Sequence, residues 1–227
     1  MLDRRARAVL ARPLDAAGAR AAAAGIAPNT LTAIGWVVGV GACVAAGLGG
    51  VWSGAWWLAL VLWLVNRLFD GLDGPLARHV GATERGGFLD IVADFSVYGG
   101  FIIGVAVAVP DARLACVVLL AAYYCSGTAF LALSSLLEKQ GRAGNDERSL
   151  RFVGGLAEGT ETVIAYVLFC LLPAHAGVIA WVFAAMVAVT ALQRVVTAVV
   201  LLSPGRADVP GPSPLPQGGT SGGARTL

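Results

Sequence analysis

Charge is scarce in this chain. Only 13% of its 227 residues are Asp, Glu, Lys or Arg, whereas 57% are hydrophobic. Soluble domains usually carry about 25% charged residues, so this composition predicts an integral membrane protein and excludes an ordinary soluble domain. The formal net charge of +2 is too small to indicate a nucleic-acid partner.

Reactive cysteine and serine patterns are also lacking. The cysteines lie within apolar runs without CxxC spacing, which predicts small buried thiols and excludes a disulfide framework or a thiolate metal site. No serine or cysteine stands beside a basic partner in a nucleophile pattern, so a covalent enzyme intermediate is not supported. The four cysteines are Cys43, Cys116, Cys125 and Cys170.

Six long apolar segments make up most of the chain. The linkers after the second and fourth of them, together with the N-terminal segment, hold 11 of the 16 Arg and Lys residues. The positive-inside rule therefore places both termini on the cytoplasmic side. We predict an all-α integral membrane protein whose sixth span contains one unusual charge, Arg194. Each segment has close to the roughly 20 residues that cross a bilayer as a helix, and the six predicted transmembrane helices are 31–49, 54–76, 88–109, 114–136, 155–173 and 176–202.

Two polar regions flank these spans. Residues 3–24 are rich in arginine and predict an amphipathic interfacial helix on the membrane surface, interrupted near Pro13. Charged residues break up its apolar positions, so no cleaved signal peptide is predicted. The C-terminal end is rich in Pro, Gly and Ser and predicts a disordered tail. We expect a juxtamembrane segment at 1–27, a six-helix domain at 28–203 and the tail at 204–227.

One stretch concentrates carboxylates at the ends of the second and third spans. It reads DGLDGPLARHVGATERGGFLDIVAD, and its two pairs of aspartates are three and four residues apart, so each pair shares a helix face. Because the two helices run antiparallel, all four acids can meet at one depth, on the cytoplasmic side. Four carboxylates in apolar surroundings repel one another unless a cation compensates them. Hard oxygen ligands suit magnesium or manganese, so we predict a divalent-metal site at Asp70, Asp73, Asp90 and Asp94.

The same residues form a longer motif. The pattern D-x-x-D-G-x-x-A-R, followed by G-x-x-x-D-x-x-x-D, resembles the signature of the CDP-alcohol phosphatidyltransferases. The gap from Arg78 to Gly86 is seven residues, one shorter than in many members, so Gly87 competes for the glycine position. Asn66 and Arg67, one helical turn before the motif, are predicted to support the acids. The motif falls on Asp70, Asp73, Gly74, Ala77, Arg78, Gly86, Asp90 and Asp94.

This resemblance implies an enzyme of phospholipid biosynthesis. It would transfer a phosphatidyl group from a CDP-linked lipid, such as CDP-diacylglycerol, to the hydroxyl of an alcohol, with release of CMP. Two divalent ions, Mg²⁺ or Mn²⁺, are implied at the four aspartates. Asp94 would either serve the second ion or take the proton of the acceptor. Contacts with the CDP-lipid are implied for Asp73, Gly74, Ala77, Arg78 and Gly86.

The resemblance also implies a homodimer in a membrane of the bacterial inner-membrane type, with the active site facing the cytoplasm. The glycines Gly99, Gly100 and Gly104 of the third span suit either a dimer contact or close packing inside one subunit.

The acceptor site is predicted around the loop before the fifth span. Arg148 and Arg151 are placed to clamp an acceptor phosphate, although anchoring to lipid headgroups explains them equally well. Glu158 and Glu161 share a helix face. Relatives often carry an arginine where Thr162 stands, which weakens the case for a phosphorylated acceptor. Glycerol 3-phosphate, inositol phosphate, an amino-alcohol and other polyols all remain open.

Two other classes of function use the same acids. A cation transporter would bind an ion through them, and a catalytically inactive relative would retain them without turnover, for which the shortened loop is the best argument. A transport site belongs near the middle of the bilayer, whereas these acids lie near one end of their spans. Arg78 and the glycines favour phosphate chemistry, so the sequence favours the enzyme.

Overall fold

The computed structural model describes residues 2–139, 156–157 and 159–203, and every regular element in these ranges is helical. Short 3₁₀ turns at Pro110–Ala112 and Pro173–His175 precede the fifth and seventh helices. The helices are α1 (Leu2–Ala23), α2 (Pro28–Leu48), α3 (Gly54–Val80), α4 (Glu84–Ala108), α5 (Arg113–Lys139), α6 (Gly159–Leu171) and α7 (Ala176–Leu202).

The apolar helices confirm an all-α membrane protein. Helices α2, α3, α4, α5 and α7 are long and apolar enough to cross a bilayer, whereas the described α6 is apolar but only 13 residues long. Their outward faces expose large hydrophobic side chains such as Val37, Trp57 and Val107. Such faces suit contact with lipid, because a helix satisfies its own backbone hydrogen bonds inside the bilayer. The predicted tail 204–227 and part of the predicted fifth span lie outside the described residues.

The N-terminal helix differs from its prediction in one respect. The expected interruption near Pro13 is wrong, because α1 continues through this proline from Leu2 to Ala23. Pro13 is exposed, so the carbonyl that it leaves unpaired can be solvated. Further along α1, Gly18 is buried against α3, where an added Cβ would lie 2.8 Å from the Cβ of Pro75. This close contact packs α1 against the C-terminal part of α3.

Helices α2, α3 and α4 form a tightly packed group. A Cβ at Gly104 of α4 would lie 2.5 Å from the carbonyl oxygen of Cys43 on α2, and one at Gly100 would lie 3.1 Å from the Cys43 sulfur. These small residues therefore serve packing within the subunit. Between α3, α4 and α6 lies a buried aromatic core, in which the rings of Phe101 and Tyr166 stack with centroids 4.6 Å apart.

Candidate active site

Three aspartates converge where α3 and α4 lie side by side. One carboxylate oxygen from each of Asp70, Asp73 and Asp90 lies within 4.8 Å of the others, and all three residues are partly buried. Thr32 of α2 places its hydroxyl 3.4 Å from Oδ2 of Asp73. Three hard oxygen donors at this spacing fit one magnesium or manganese ion. The residues present therefore suit the predicted divalent metal.

The turn between α3 and α4 sets the position of Asp90. Gly81 has φ +115°, which favours glycine, and the side chain of Thr83 caps α4 by accepting from the Gly86 amide at 3.1 Å. A Cβ at Gly86 would lie 3.1 Å from Oδ1 of Asn29, whereas one at Gly87 would meet nothing within 4 Å. Within the seven-residue gap, Gly86 is thus the glycine required for close packing.

Asp94 lines the same narrow cleft as the three clustered acids but has other partners. Nη2 of Arg67 donates to Oδ1 of Asp94 at 2.9 Å. The hydroxyl of Tyr98 lies 3.5 Å from Oδ2 of the same carboxylate. Among the described residues, Asp94 is not in the group of acids close enough to share one ion. Its roles as a metal ligand and as the base stay predictions.

Arg67 is the cation at the centre of this arrangement, and its predicted support of the acids is confirmed. Its side chain is only 10% exposed, and Nη1 lies 3.3 Å from Oδ2 of Asp70. Nη1 also donates to the Tyr98 hydroxyl at 2.6 Å, and Nε donates to Oδ1 of Asn66 at 2.9 Å. The guanidinium carbon lies 4.7 Å from the Trp63 ring centroid and 4.9 Å from that of Tyr98. Contacts on every side hold this guanidinium in place.

A cavity of about 440 Å³ opens beside Asp73 and Asp90, and we call it the donor cavity. The start of α2, the end of α3 and the first turn of α4 form its walls. The side chains facing it are mostly small, which leaves room for a bulky ligand to approach the backbone. Four of the five residues predicted to contact the CDP-lipid line it, namely Asp73, Gly74, Ala77 and Gly86.

The fifth of these predicted residues, Arg78, lies outside the donor cavity wall. Its side chain is 64% exposed, and Nη2 lies 3.5 Å from Oδ1 of Asp15 on α1. Nε2 of His79 lies 3.6 Å from the same oxygen. The motif arginine is therefore linked to the interfacial helix, and its contact with the CDP-lipid stays a prediction.

A second cavity, of about 520 Å³, lies between α4, α5, α6 and α7, and we call it the arginine cavity. Its lining includes five aromatic residues, and Arg194, Tyr124 and Thr162 are among the residues that offer polar groups. Nη1 of Arg194 donates to the Ser126 hydroxyl at 2.8 Å. Tyr98 also lines this cavity, and its hydroxyl reaches Arg67 and Asp94. The arginine cavity therefore adjoins the acid cluster through Tyr98.

The predicted acceptor residues are only partly described. Arg148, Arg151 and Glu158 lie outside the described residues. Glu161 is in the first turn of α6 and lines a separate apolar groove between α6 and α7. Thr162, which stands where relatives often carry an arginine, is buried and shares the arginine cavity with Arg194. The sequence indicated Arg194 only as an unusual charge in a span.

Comparison with known proteins identifies similar chains. The family model described as CDP-alcohol phosphatidyltransferase matches residues 25–193. The Escherichia coli inner membrane protein YnjF is 42% identical over 175 residues, which cover 75% of this chain and 82% of that protein. The phosphatidylinositol phosphate synthase of Mycobacterium marinum is 30% identical over 203 residues, covering 83% of this chain and 80% of that protein.

Solved structures share the fold. The phosphatidylinositol phosphate synthase of Mycobacterium tuberculosis with CDP-DAG bound has a TM-score of 0.63 and 22% identity, covering 86% of this chain and 96% of that one. The same synthase in complex with manganese and citrate also has a TM-score of 0.63, with 21% identity, covering 85% of this chain and 90% of that one. At this identity the likeness establishes the architecture of the helices.

Proposed function

The chain belongs to the CDP-alcohol phosphatidyltransferase family and is a membrane enzyme of phospholipid biosynthesis, and on this premise we propose its reaction. It transfers a phosphatidyl group from CDP-diacylglycerol to the hydroxyl of a phosphorylated polyol and releases CMP. The observation that carries this proposal is the position of three clustered aspartates at the wall of the donor cavity, which the small residues of the family motif line.

The donor binds in the donor cavity. Its cytidine diphosphate approaches the backbone at Gly74, Ala77 and Gly86, where larger side chains would block it. Asp70, Asp73 and Asp90 would hold a divalent cation, which would supply positive charge to the diphosphate and to the leaving CMP. The solved neighbours with bound CDP-DAG and with manganese support this assignment of donor and metal class.

Asp94 acts as the base for the acceptor. Arg67 and Tyr98 hold its carboxylate in one orientation, beside the acids that face the donor. A bond forms between the acceptor oxygen and the phosphatidyl phosphorus, while the bond from that phosphorus to the CMP oxygen breaks. The acceptor proton passes to Asp94 as the new bond forms, since a carboxylate is too weak a base to ionise an alcohol beforehand. The electron pair of the broken bond leaves with CMP.

The acceptor binds in the arginine cavity. Arg194 offers a planar guanidinium suited to a phosphate group, and Tyr98 links this cavity to Asp94. Thr162 stands where relatives often carry an arginine, and Arg194 supplies a cation in the same cavity. We therefore keep a phosphorylated acceptor in the proposal. The name of the Mycobacterium marinum relative, a phosphatidylinositol phosphate synthase, supports the same acceptor class. The residues that the sequence predicts for acceptor binding, Arg148, Arg151, Glu158 and Glu161, stay predictions of the sequence.

The arginine-rich linkers support a cytoplasmic location for the acids and both termini, by the positive-inside rule. A water-soluble polyol phosphate then reaches the site from the cytoplasm, while the lipid donor reaches it from the bilayer. Following the family resemblance, we assign the chain to a homodimer.

A direct assay tests this reaction. Purified full-length protein is incubated with CDP-diacylglycerol, Mg²⁺ or Mn²⁺ and, separately, inositol phosphate, glycerol 3-phosphate, inositol or serine, while CMP and lipid product are measured. We expect CMP and product with one of the phosphorylated polyols. Turnover with inositol or serine alone would overturn the acceptor assignment. No CMP with any acceptor, together with metal-dependent cation flux in vesicles, would instead favour a transporter.

A further inference from the structure

Arg67 bridges two carboxylates that a pair of metal ions would have to share. Its Nη1 lies 3.3 Å from Asp70 and its Nη2 lies 2.9 Å from Asp94. An ion coordinated by both of these acids would occupy the space in which the guanidinium lies. A divalent cation in contact with a guanidinium is strongly repelled, because the surroundings are partly buried and screen the charges weakly.

The guanidinium cannot easily move aside. Nε and Nη2 both donate to Oδ1 of Asn66, at 2.9 and 2.6 Å. Nδ2 of Asn66 in turn donates to the carbonyl oxygen of Gly35 on α2 at 2.8 Å. The rings of Trp63 and Tyr98 lie within 4.9 Å of the guanidinium carbon. Moving Arg67 would break these hydrogen bonds and leave Asp94 a partly buried, unpaired carboxylate, which is costly.

The formal charges favour the same arrangement. When all four acids are ionised they carry −4, and Arg67 reduces this to −3. One divalent ion leaves the substrate-free site at −1, whereas two would make it +1 before any diphosphate is bound. We propose that Arg67 takes the place of a second cation, so that the substrate-free site holds a single divalent ion at Asp70, Asp73 and Asp90. Arg67 is a positioning residue: its hydrogen bond holds the Asp94 carboxylate away from the metal ligands and available to the acceptor. The inference rests on the proposed metal site.

Metal stoichiometry tests this role without measuring turnover. Mn²⁺ binding to purified full-length protein, followed by the electron paramagnetic resonance signal of free Mn²⁺, should give one ion per chain, with any second ion bound at least about tenfold more weakly. Arg67→Met removes the charge but keeps the apolar stem, and it should strengthen the second site by at least about tenfold. Arg67→Lys keeps the charge and should retain a single ion.

Arg113→Met is the matched control, since Arg113 is exposed at the start of α5 and donates to the Ala106 carbonyl. It should leave the stoichiometry unchanged. Two ions of similar affinity in the wild type, or a single ion in Arg67→Met, would overturn the proposal. Wild type that binds no Mn²⁺ would overturn the proposed metal site itself, which is a distinguishable result.

A second variant covers the case in which Arg67→Met fails to fold, as judged by size-exclusion chromatography. Asp94→Asn leaves Arg67 in place and removes only the carboxylate that we assign to the acceptor side. The stoichiometry should stay at one Mn²⁺ per chain, and the affinity should fall by no more than about 100-fold, because Asp94 is a charged neighbour of the ligands but not a ligand itself. Loss of measurable Mn²⁺ binding would place Asp94 among the ligands and overturn the role proposed for Arg67.

Discussion

The two cavities that adjoin the acid cluster have walls of opposite charge. The donor cavity has Asp73 and Asp90 in its wall and otherwise mostly small residues. The arginine cavity has Arg194 among aromatic side chains. An anionic ligand is repelled by the first wall unless a cation lies between them, whereas the second wall attracts an anion directly. In the reaction proposed above, metal dependence would therefore belong to the donor cavity, and direct recognition of an anion to the arginine cavity.

The largest effect should come from removing a carboxylate of the donor side. Asp73→Asn takes away one of three clustered ligands, and we expect CMP release to fall on the order of 10³-fold, since the metal supplies several kcal/mol of charge stabilisation. Mn²⁺ binding should weaken in parallel. Asp111→Asn, at an exposed position in a 3₁₀ turn, is the matched control and should behave as wild type. Unchanged CMP release and Mn²⁺ binding in Asp73→Asn would refute metal dependence of the donor cavity.

A smaller but more selective effect is expected from filling the donor cavity. Ala77 lines it, and Ala77→Leu adds bulk where the nucleotide must approach, so kcat/KM for CDP-diacylglycerol should fall roughly 10–100-fold. The KM of the acceptor should not change. Ala132→Leu, in an apolar groove between α5 and α7, is the matched control. A raised acceptor KM in Ala77→Leu would mean that the acceptor, and not the donor, occupies this cavity.

The two cavities also explain which parts of the molecule the sequence could predict. Most of the donor cavity lies within the stretch from Asp73 to Asp90, and the remainder lies at the start of α2. Helical spacing and one antiparallel turn suffice to bring such residues together. The clustering of Asp70 with Asp73 and Asp90 was predictable for the same reason, and the five long apolar helices were predictable from the length of their hydrophobic runs.

The arginine cavity could not be predicted in this way. Tyr98, Tyr124, Thr162 and Arg194 come from four different helices, and only the packing of those helices decides which faces meet. The pairing of Asp94 with Arg67 could not be predicted either. The helical spacing of Asp90 and Asp94 on α4 predicted that both carboxylates bind the metal. Whether a carboxylate faces a metal or a guanidinium depends on side-chain contacts between helices. The periodicity of a sequence does not predict such contacts.

A moderate effect is expected on the acceptor side. Arg194→Lys keeps the charge in the arginine cavity but loses the planar fork that suits a phosphate, so kcat/KM for the polyol phosphate should fall about tenfold. The KM for CDP-diacylglycerol should stay at its wild-type value. Arg194→Lys should thus affect the acceptor alone, whereas Ala77→Leu should affect the donor alone. Arg113→Lys is the matched control. If Arg194→Lys instead raised the donor KM, the assignment of the two cavities would have to be exchanged.

The smallest effect should come from the pair that joins α1 to the motif. Oδ1 of Asp15 lies 3.5 Å from Nη2 of Arg78, with side chains 53% and 64% exposed, and such exposed pairs contribute at most about 1 kcal/mol. Neither residue lines the donor cavity, so Asp15→Asn should change kcat/KM by no more than about threefold. The measurement is CMP release at varied CDP-diacylglycerol. A tenfold rise in donor KM would show that Asp15 positions Arg78 for the diphosphate, and would extend the donor side to the interfacial helix.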